Sequence, residues 1–291
     1  MHRAAAEQRG GAAVIRGSLF TRFFLEDGIR ETQAYRAFDP ARAMDFAETS
    51  RSYWAALDQM SHPTEADTEG EFIFPLLQAL GWEYLTQQEP GRGRRDIADA
   101  LLFVDAHTKA RARGEAATAD RFRFGAVVVE NEARDTLLDR ASGNAETPST
   151  QILRYLGRAE AHSGGAVRWG LLTNGRFWRL YWANARARAE GFVELDLPGL
   201  LGEMPPPPPK DAPDDHWLRV FLLLFGRDSF VSRDAAGHHF LDLALNEGRL
   251  YEQRLTAALS QVVFDQVFPD LVAALAREAP EAPLARISHR K

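Results

Sequence analysis

The pattern of apolar and polar positions predicts a chain in which strands and helices alternate. Val127, Val128 and Val129 are three β-branched residues in a row, which is typical of a buried strand. Asn174 and Gly175 separate two apolar runs and predict a tight hairpin. We expect strands over residues 82–88, 101–104, 121–130, 167–173, 177–182 and 192–197.

Apolar residues at helical spacing predict the main helices. The helix over residues 68–80 has the clearest signals, because Thr68 and Glu71 have the spacing of a capping box and Gly81 follows the last apolar residue. The last predicted helix has a break near Gly248. The main helices are expected over residues 40–60, 68–80, 150–161, 214–225 and 240–275.

Five consecutive prolines at residues 205–209 form the clearest linker in the chain, since such a run is stiff and extended. This linker sets the predicted domain boundaries. We expect a flexible N-terminus (residues 1–17), a mixed α/β domain (18–204), a proline-rich linker (205–213), a helical extension (214–278) and a disordered tail (279–291).

Acidic residues follow the predicted strands at positions that suit a metal ion. Glu130 and Glu132 end the strongest apolar run, and residues two apart in a strand share a face. Asp99, ahead of a neighbouring apolar run, can supply a third carboxylate. Hard oxygen ligands of this kind suit Mg²⁺ or Mn²⁺. The alternative is that both glutamates lie exposed at a strand end and bind nothing.

Composition narrows the function classes. The formal net charge of −6 argues against a protein that coats nucleic acid over its whole surface, but a local basic patch is compatible with it. The chain has no cysteine, which excludes disulfides, thiolate zinc sites and a cysteine nucleophile. Phosphate-loop, dinucleotide-binding and serine-nucleophile motifs are absent from the sequence. We expect a cytoplasmic protein with no membrane span.

Five sequence pieces, in this order, resemble the PD-(D/E)XK nuclease domain at the N-terminus of type IIG restriction-modification enzymes and related phage-defence proteins. The pieces are E-x-x-F-x-x-P-L-L-x-A-L-G-W, D-x-x-L-F, V-V-E-x-x, Q-x-x-R-Y-L and W-G-x-L-T-N-G-R-x-W-R-L-Y. The resemblance covers about residues 20–275. It implies an α/β, restriction-endonuclease-like fold, in which helices flank a mixed central sheet and a helical extension follows.

The resemblance also implies roles for single residues. Asp99 and Glu130 match the family's acidic metal ligands, and Gln151 matches the glutamine of the following helix. Glu71 matches a helix glutamate that is sometimes found near the metal. Glu132 stands where the family has a lysine. The implied catalytic residues are therefore Asp99, Glu130, Glu132 and Gln151, and the implied ligands of Mg²⁺ (or Mn²⁺) are Asp99, Glu130, Glu132 and Glu71.

The implied substrate is double-stranded DNA, and the implied activity is metal-dependent endonuclease cleavage in a restriction-modification or phage-defence system. The DNA backbone would be contacted by four basic side chains, namely Arg92, Arg94, Arg95 and Arg154. Sequence recognition would come from a methyltransferase or target-recognition domain or subunit. Arg134 is a candidate to replace the missing lysine, since it shares the strand face of Glu132 if the strand continues.

Two alternatives stay open at this point. In the first, Glu132 marks lost catalysis, and the domain is a nuclease-fold module for DNA binding or assembly. In the second, the protein is a regulatory or scaffold domain whose partner docks on residues 211–275.

Overall fold

A six-stranded mixed β-sheet organises the part of the chain that the structure describes. The structure is a computed structural model that describes residues 15–88, 97–141, 146–203, 207–231 and 238–278. The strands lie in sequence order: β1 (Glu83–Gln88), β2 (Ala98–Phe103), β3 (Val127–Asn131), β4 (Trp169–Thr173), β5 (Phe177–Trp182) and β6 (Phe192–Asp196). Only β3 and β4 are parallel neighbours; the other adjacent pairs are antiparallel.

Helices flank this sheet and also form the C-terminal segment. The predicted mixed α/β class is therefore confirmed. The helices are α1 (Arg22–Glu26), α2 (Gln33–Arg36), α3 (Pro40–Asp58), α4 (Glu65–Thr68), α5 (Phe74–Ala79), α6 (Ala106–Gly114), α7 (Thr118–Arg121), α8 (Pro148–Ser163), α9 (His216–Phe225), α10 (Phe240–Val262) and α11 (Phe268–Glu278). The π-helical segments Glu69–Ile73 and Val263–Val267 join α4 to α5 and α10 to α11.

Helix α8 is the crossover that the parallel pair β3–β4 requires. It packs closely over β4 at Gly170, where an added Cβ would lie 3.3 Å from side-chain atoms of Ile152 and Leu156. Successive strand residues face opposite sides of the sheet. Tyr181 therefore joins the core under α8, while Trp178 faces the other side and contacts the Phe221 ring of α9. The sheet thus has helices on both faces.

The central strand is shorter than the sequence predicts. A strand was expected over residues 121–130, but Thr118–Arg121 is helical and Phe122–Phe124 is a 3-10 turn. Phe122 is fully buried as part of that turn. The sheet pairing begins only after Gly125, where a Cβ would lie 2.4 Å from Leu101. Packing of Phe122 into the core explains why the apolar pattern continued before the strand.

The helix before β1 begins one turn earlier than predicted. Its capping box consists of Thr64 and Asp67, so the predicted box of Thr68 and Glu71 is wrong. The helix passes through the π-helical turn at residues 69–73 before Pro75, a residue with no N–H to donate to a carbonyl four residues back. This earlier start and wider turn change which glutamates share a face.

The structure does not divide the chain at the proline run. One compact unit is Met1–Gly248 and the other is Arg249–Lys291. Helix α9, which was assigned to a separate extension, belongs to the first unit because its apolar residues are buried against α3 and β5. The predicted break near Gly248 is also wrong, since α10 runs through it. The tail 279–291 lies outside the described residues, as do residues 1–14 of the predicted flexible terminus.

The C-terminal segment also changes one expectation about membranes. Within the described residues, the helical stretch Phe240–Leu275 is long and apolar enough to cross a membrane by length and composition alone. The expectation of no membrane span rested on the lack of an apolar run close to about 20 residues long.

We expect Phe221→Ala to lower the free energy of unfolding by about 3–5 kcal/mol, because Phe221 is fully buried between Phe46, Trp178 and Phe225. Phe264→Ala is the control, since this ring is 67% exposed, and it should change the stability of the first unit by less than about 0.5 kcal/mol. Urea unfolding measures both. Equal effects would contradict the assignment of α9 to the first unit.

Candidate metal centre

Strand pairing brings Asp99 and Glu130 side by side. At this end of the β2–β3 ladder Ala100 pairs with Val129, and Asp99 and Glu130 are the next residues on each strand. The backbone N–H of Asn131 donates to Oδ2 of Asp99 at 2.6 Å. Two carboxylates predicted from the sequence as metal ligands therefore meet at one edge of the sheet.

Glu130 is the most buried of these acids, with 3% of its surface exposed. One carboxylate oxygen, Oε1, accepts a hydrogen bond from the side-chain amide of Gln151. The other, Oε2, is buried and has no hydrogen-bond partner among the described residues. Leaving a buried acceptor unsatisfied is costly, and more so for a charged group. A bound cation, or a proton shared with the neighbouring carboxyl group of Asp99, would satisfy this oxygen.

Gln151 reaches the site because it lies in the first turn of α8, the helix that crosses over β3. Its Nε2 donates to Glu130 and also to the hydroxyl of Tyr155 at 3.1 Å. The amide therefore fixes one oxygen of Glu130 and leaves the other directed elsewhere. The predicted involvement of Gln151 at this site agrees with its position, while its catalytic role stays a prediction.

Two further glutamates, which the sequence analysis did not assign, join the cluster. Carboxylate oxygens of Glu65, Glu69 and Asp99 lie within 4.8 Å of one another. Glu65 and Glu69 are four residues apart and share one helix face. The side-chain amide of Asn131 donates to Oε1 of Glu69 at 3.0 Å, which holds that carboxylate beside β3.

Glu71 does not belong to this group, so the structure does not support its predicted role as a metal ligand. Its side chain is exposed and lies outside the acidic group formed by Glu65, Glu69 and Asp99. The reason is helix register, because a residue two positions after Glu69 points away from the face that carries Glu69. A sequence signal for Glu69 did exist, since it is the first residue of the motif E-x-x-F-x-x-P-L-L-x-A-L-G-W.

The acidic side chains raise one another's pKa values. Burial, followed by the charge of Asp99, raises the pKa of Glu130 well above its ordinary value. Burial also raises the pKa of Asp99, against the opposing effect of the Asn131 N–H. For Glu132, burial and the charge of Glu65 raise the pKa to about 7. Protons or a cation must therefore reduce the negative charge of this cluster.

The described arginines near the site are engaged elsewhere. Arg134 pairs with Asp58 at 3.0 Å, so it does not replace the lysine that Glu132 displaces. Arg154 pairs with Glu146 at 3.0 Å and lies over the Tyr155 ring. Arg92, Arg94 and Arg95 lie outside the described residues. Within the described part of the chain, no arginine or lysine forms an ion pair with Asp99, Glu130 or Glu132.

A buried arginine fixes the loop that leads to α8. Arg179 is 1% exposed and donates to Glu194, to both carboxylate oxygens of Asp139 and to the Tyr181 hydroxyl. Asp139 in turn accepts from the hydroxyl of Ser149, in the first turn of α8. This chain of contacts runs from the sheet to the helix turn that carries Gln151. No local sequence pattern indicates this chain of contacts, because its members are far apart along the chain.

Comparison of the chain with protein-family models, with curated proteins and with solved structures finds no match.

Glu130→Gln should stabilise the metal-free protein at about pH 8, by about 1–3 kcal/mol, because the wild-type carboxyl group must take up a proton or carry a buried charge on folding, whereas the amide does neither and keeps an acceptor for Gln151. A raised pKa means that the stabilising protonated form is present at low pH and is lost as the pH rises through the folded-state pKa. The gain should therefore shrink toward pH 4.5. Thermal unfolding with a chelator measures it, and a loss of stability at pH 8 would contradict it.

Glu69→Gln should weaken Mn²⁺ binding by about tenfold or more, because it removes a carboxylate beside Asp99. Glu71→Gln is the matched control on the same helix, since its carboxylate is exposed and outside the cluster. Titration of each variant with Mn²⁺, followed by electron paramagnetic resonance, gives the affinities. A larger effect of Glu71→Gln would show that the sequence-based assignment was right and the geometric one wrong.

Asp139→Asn should weaken Mn²⁺ binding more than its effect on stability accounts for, because it loosens the turn that carries Gln151. Arg176→Gln is the control: it breaks the 2.8 Å pair with Asp196, which lies outside the chain of contacts from Arg179 through Asp139 to Ser149. Affinity and unfolding temperature are measured for both. Equal losses of affinity would contradict the positioning role of Asp139.

Proposed function

We propose that this protein is a metal-dependent DNA endonuclease of a restriction-modification or phage-defence system, which hydrolyses phosphodiester bonds. The observation that carries the proposal is the buried Oε2 of Glu130, which has no partner among the described residues and lies beside Asp99. Exposed acidic side chains are solvated by water and do not by themselves favour a ligand. The carboxylate of Glu130 is only 3% exposed, so it is poorly solvated, and this favours the binding of a cation.

The residues present suit Mg²⁺ or Mn²⁺, since every candidate ligand is a carboxylate oxygen. Asp99 would hold the ion together with Glu65 and Glu69, whose carboxylate oxygens lie within 4.8 Å of one another and of Asp99. Glu130, beside Asp99, and Glu132 are proposed as further ligands. When bound, such an ion polarises a phosphate oxygen and lowers the pKa of a coordinated water. Gln151 keeps Glu130 in the orientation that leaves Oε2 available.

Glu132 lies at the more open side of the cluster, as it is only partly buried. Its backbone N–H donates to the carbonyl of Thr173 at 2.9 Å, which fixes the position of the residue just after β3. We assign it to accept a hydrogen bond, and then a proton, from the attacking water. A carboxylate whose pKa lies at about 7 is suited to that exchange at neutral pH.

The fold is consistent with the proposal. An aspartate and a glutamate on neighbouring antiparallel strands, followed by a glutamine on the next crossover helix, match the order that the resemblance implies. We therefore also propose the restriction-endonuclease-like fold and a cytoplasmic location. Double-stranded DNA is the proposed substrate, and a methyltransferase or target-recognition domain or subunit is the proposed partner. Arg92, Arg94 and Arg95 precede β2 and are the proposed contacts to the DNA backbone.

One observation favours a second candidate function, a DNA-binding or assembly module that does not cleave. Glu132 replaces the lysine of the related nucleases, and the nearby Arg134 is held by Asp58 rather than by the acidic cluster. A site without a positive side chain loses a group that stabilises charge on the reacting phosphate.

Cleavage of supercoiled plasmid decides between the two. The wild type should nick or cut DNA only with Mg²⁺ or Mn²⁺, Glu130→Gln should reduce the rate by at least about a hundredfold, and Glu71→Gln should cut like the wild type. Glu132→Lys should reduce cleavage if Glu132 holds the water. Cleavage that appears only in Glu132→Lys would establish the non-cleaving module instead.

A further inference from the structure

The second compact unit, Arg249–Lys291, carries a concentration of exposed apolar side chains. Over residues 259–275 of its helix, nine large apolar side chains are between 39% and 67% exposed. They are Leu259, Val262, Val263, Phe264, Val267, Phe268, Leu271, Val272 and Leu275. Contiguous apolar surface of this kind on a soluble protein marks an interaction site.

These side chains form two neighbouring ridges along the helix. On a helix surface, residues four apart line up in rows, and the ridges of one helix pack into the grooves of another. One row consists of Leu259 of α10, Val263 and Val267 at the two ends of the π-helical turn, and Leu271 and Leu275 of α11; the adjacent row is Phe264, Phe268 and Val272. The charged and amide side chains of this stretch, Gln261, Asp265, Gln266 and Asp270, fall in the other two rows, and Ser260 is the one polar residue in line with Phe264. The large apolar side chains are therefore concentrated on one side.

We propose that this helix pairs, antiparallel and two-fold symmetric, with the same helix of a second copy of the chain. The first row continues toward the N-terminus through Leu255, and it is symmetric about Val263. In an antiparallel pair centred there, Val263 meets itself, Leu259 meets Val267 and Leu255 meets Leu271. A two-fold interface requires this kind of self-complementary surface.

Charge complementarity selects the antiparallel arrangement. In this register, the amide of Gln261 faces the carboxylate of Asp265 in the second copy, and Arg254 lies within one helical turn of Asp270. A parallel pair in register would instead place Asp265 against Asp265 and Asp270 against Asp270, and like charges so placed repel. The two acids are the only charged residues between Arg254 and Arg277, so they decide the orientation.

A membrane is the less favoured cover for this surface, although the helix is long enough to span one. Asp265 and Asp270 lie within the apolar stretch, and an aspartate at the centre of a membrane helix costs about 2.5–3.5 kcal/mol. Pairing with a second helix leaves both acids at the edge of the contact, where they stay in water or meet a polar partner.

Light scattering of the full chain at about 10 µM tests the proposal, because a stable homodimer has a dissociation constant below this. The expected mass is twice the 32.5 kDa of one chain. Val263→Glu should give a monomer, since the two introduced carboxylates face each other. Met44→Glu changes a side chain that is 68% exposed in the first unit and should stay a dimer. Because these positions are on the surface, both variants should fold like the wild type.

Exchanging the charges of Arg254 and Asp270 distinguishes a second copy of the chain from any other binding partner. Arg254→Asp alone and Asp270→Arg alone should each raise the dimer dissociation constant about threefold or more, and the double variant should restore it. A monomeric wild type at the stated concentration would overturn the proposal, and so would a dimer unaffected by Val263→Glu. Co-flotation of a monomer with neutral lipid vesicles would identify a membrane as the cover instead. Mass and flotation are measured without DNA, so they decide this independently of the proposed nuclease activity.

Discussion

The structure depends on one electrostatic constraint: carboxylates are held together at the end of β2 and β3 where water is largely excluded. Asp99 and Glu130 are adjacent because their strands are paired, and Glu130 has one oxygen occupied by Gln151 and the other buried without a partner among the described residues. Like charges in such a place repel and are poorly solvated. The raised pKa values of Asp99, Glu130 and Glu132 express the same conflict. The proposed divalent cation would resolve it.

The surrounding fold holds these carboxylates close together and does not separate them. The parallel pair β3–β4 requires the crossover α8, and Gly170 lets that helix lie close enough for Gln151 to reach Glu130. Arg179 and Asp139 hold the turn in which α8 begins. On the other side, the helix that starts at the Thr64 cap brings Glu65 and Glu69 to Asp99. These contacts add negative charge and order to the site, which a purely structural role would not require.

The sequence was most informative where local patterns decide the structure. The β-branched run predicted β3 and placed Glu130 at its end, and Asp99 was expected on a neighbouring strand. Gln151 was implied by the resemblance and lies in the first turn of α8. The sequence was less informative where three-dimensional packing decides. Glu71 was assigned from the resemblance, whereas the structure brings Glu69 to Asp99 on a helix that starts one turn earlier, at the Thr64 cap. The proline run suggested a domain boundary, yet burial of Phe221 ties α9 to the first unit. Arg179, Asp139 and Ser149 are distant in sequence, so no local pattern could reveal their contact.

The most direct test of the central claim is anomalous diffraction, at the manganese absorption edge, from crystals of the wild-type protein grown with Mn²⁺. The account predicts an anomalous peak within about 2.5 Å of Oε2 of Glu130, with Asp99 as a second ligand. The absence of a peak at saturating Mn²⁺, with the carboxyl groups of Glu130 and Asp99 instead sharing a proton, would contradict it. The acidic cluster would then be neutralised by protons, and the proposal of a metal-dependent nuclease would lose its main support.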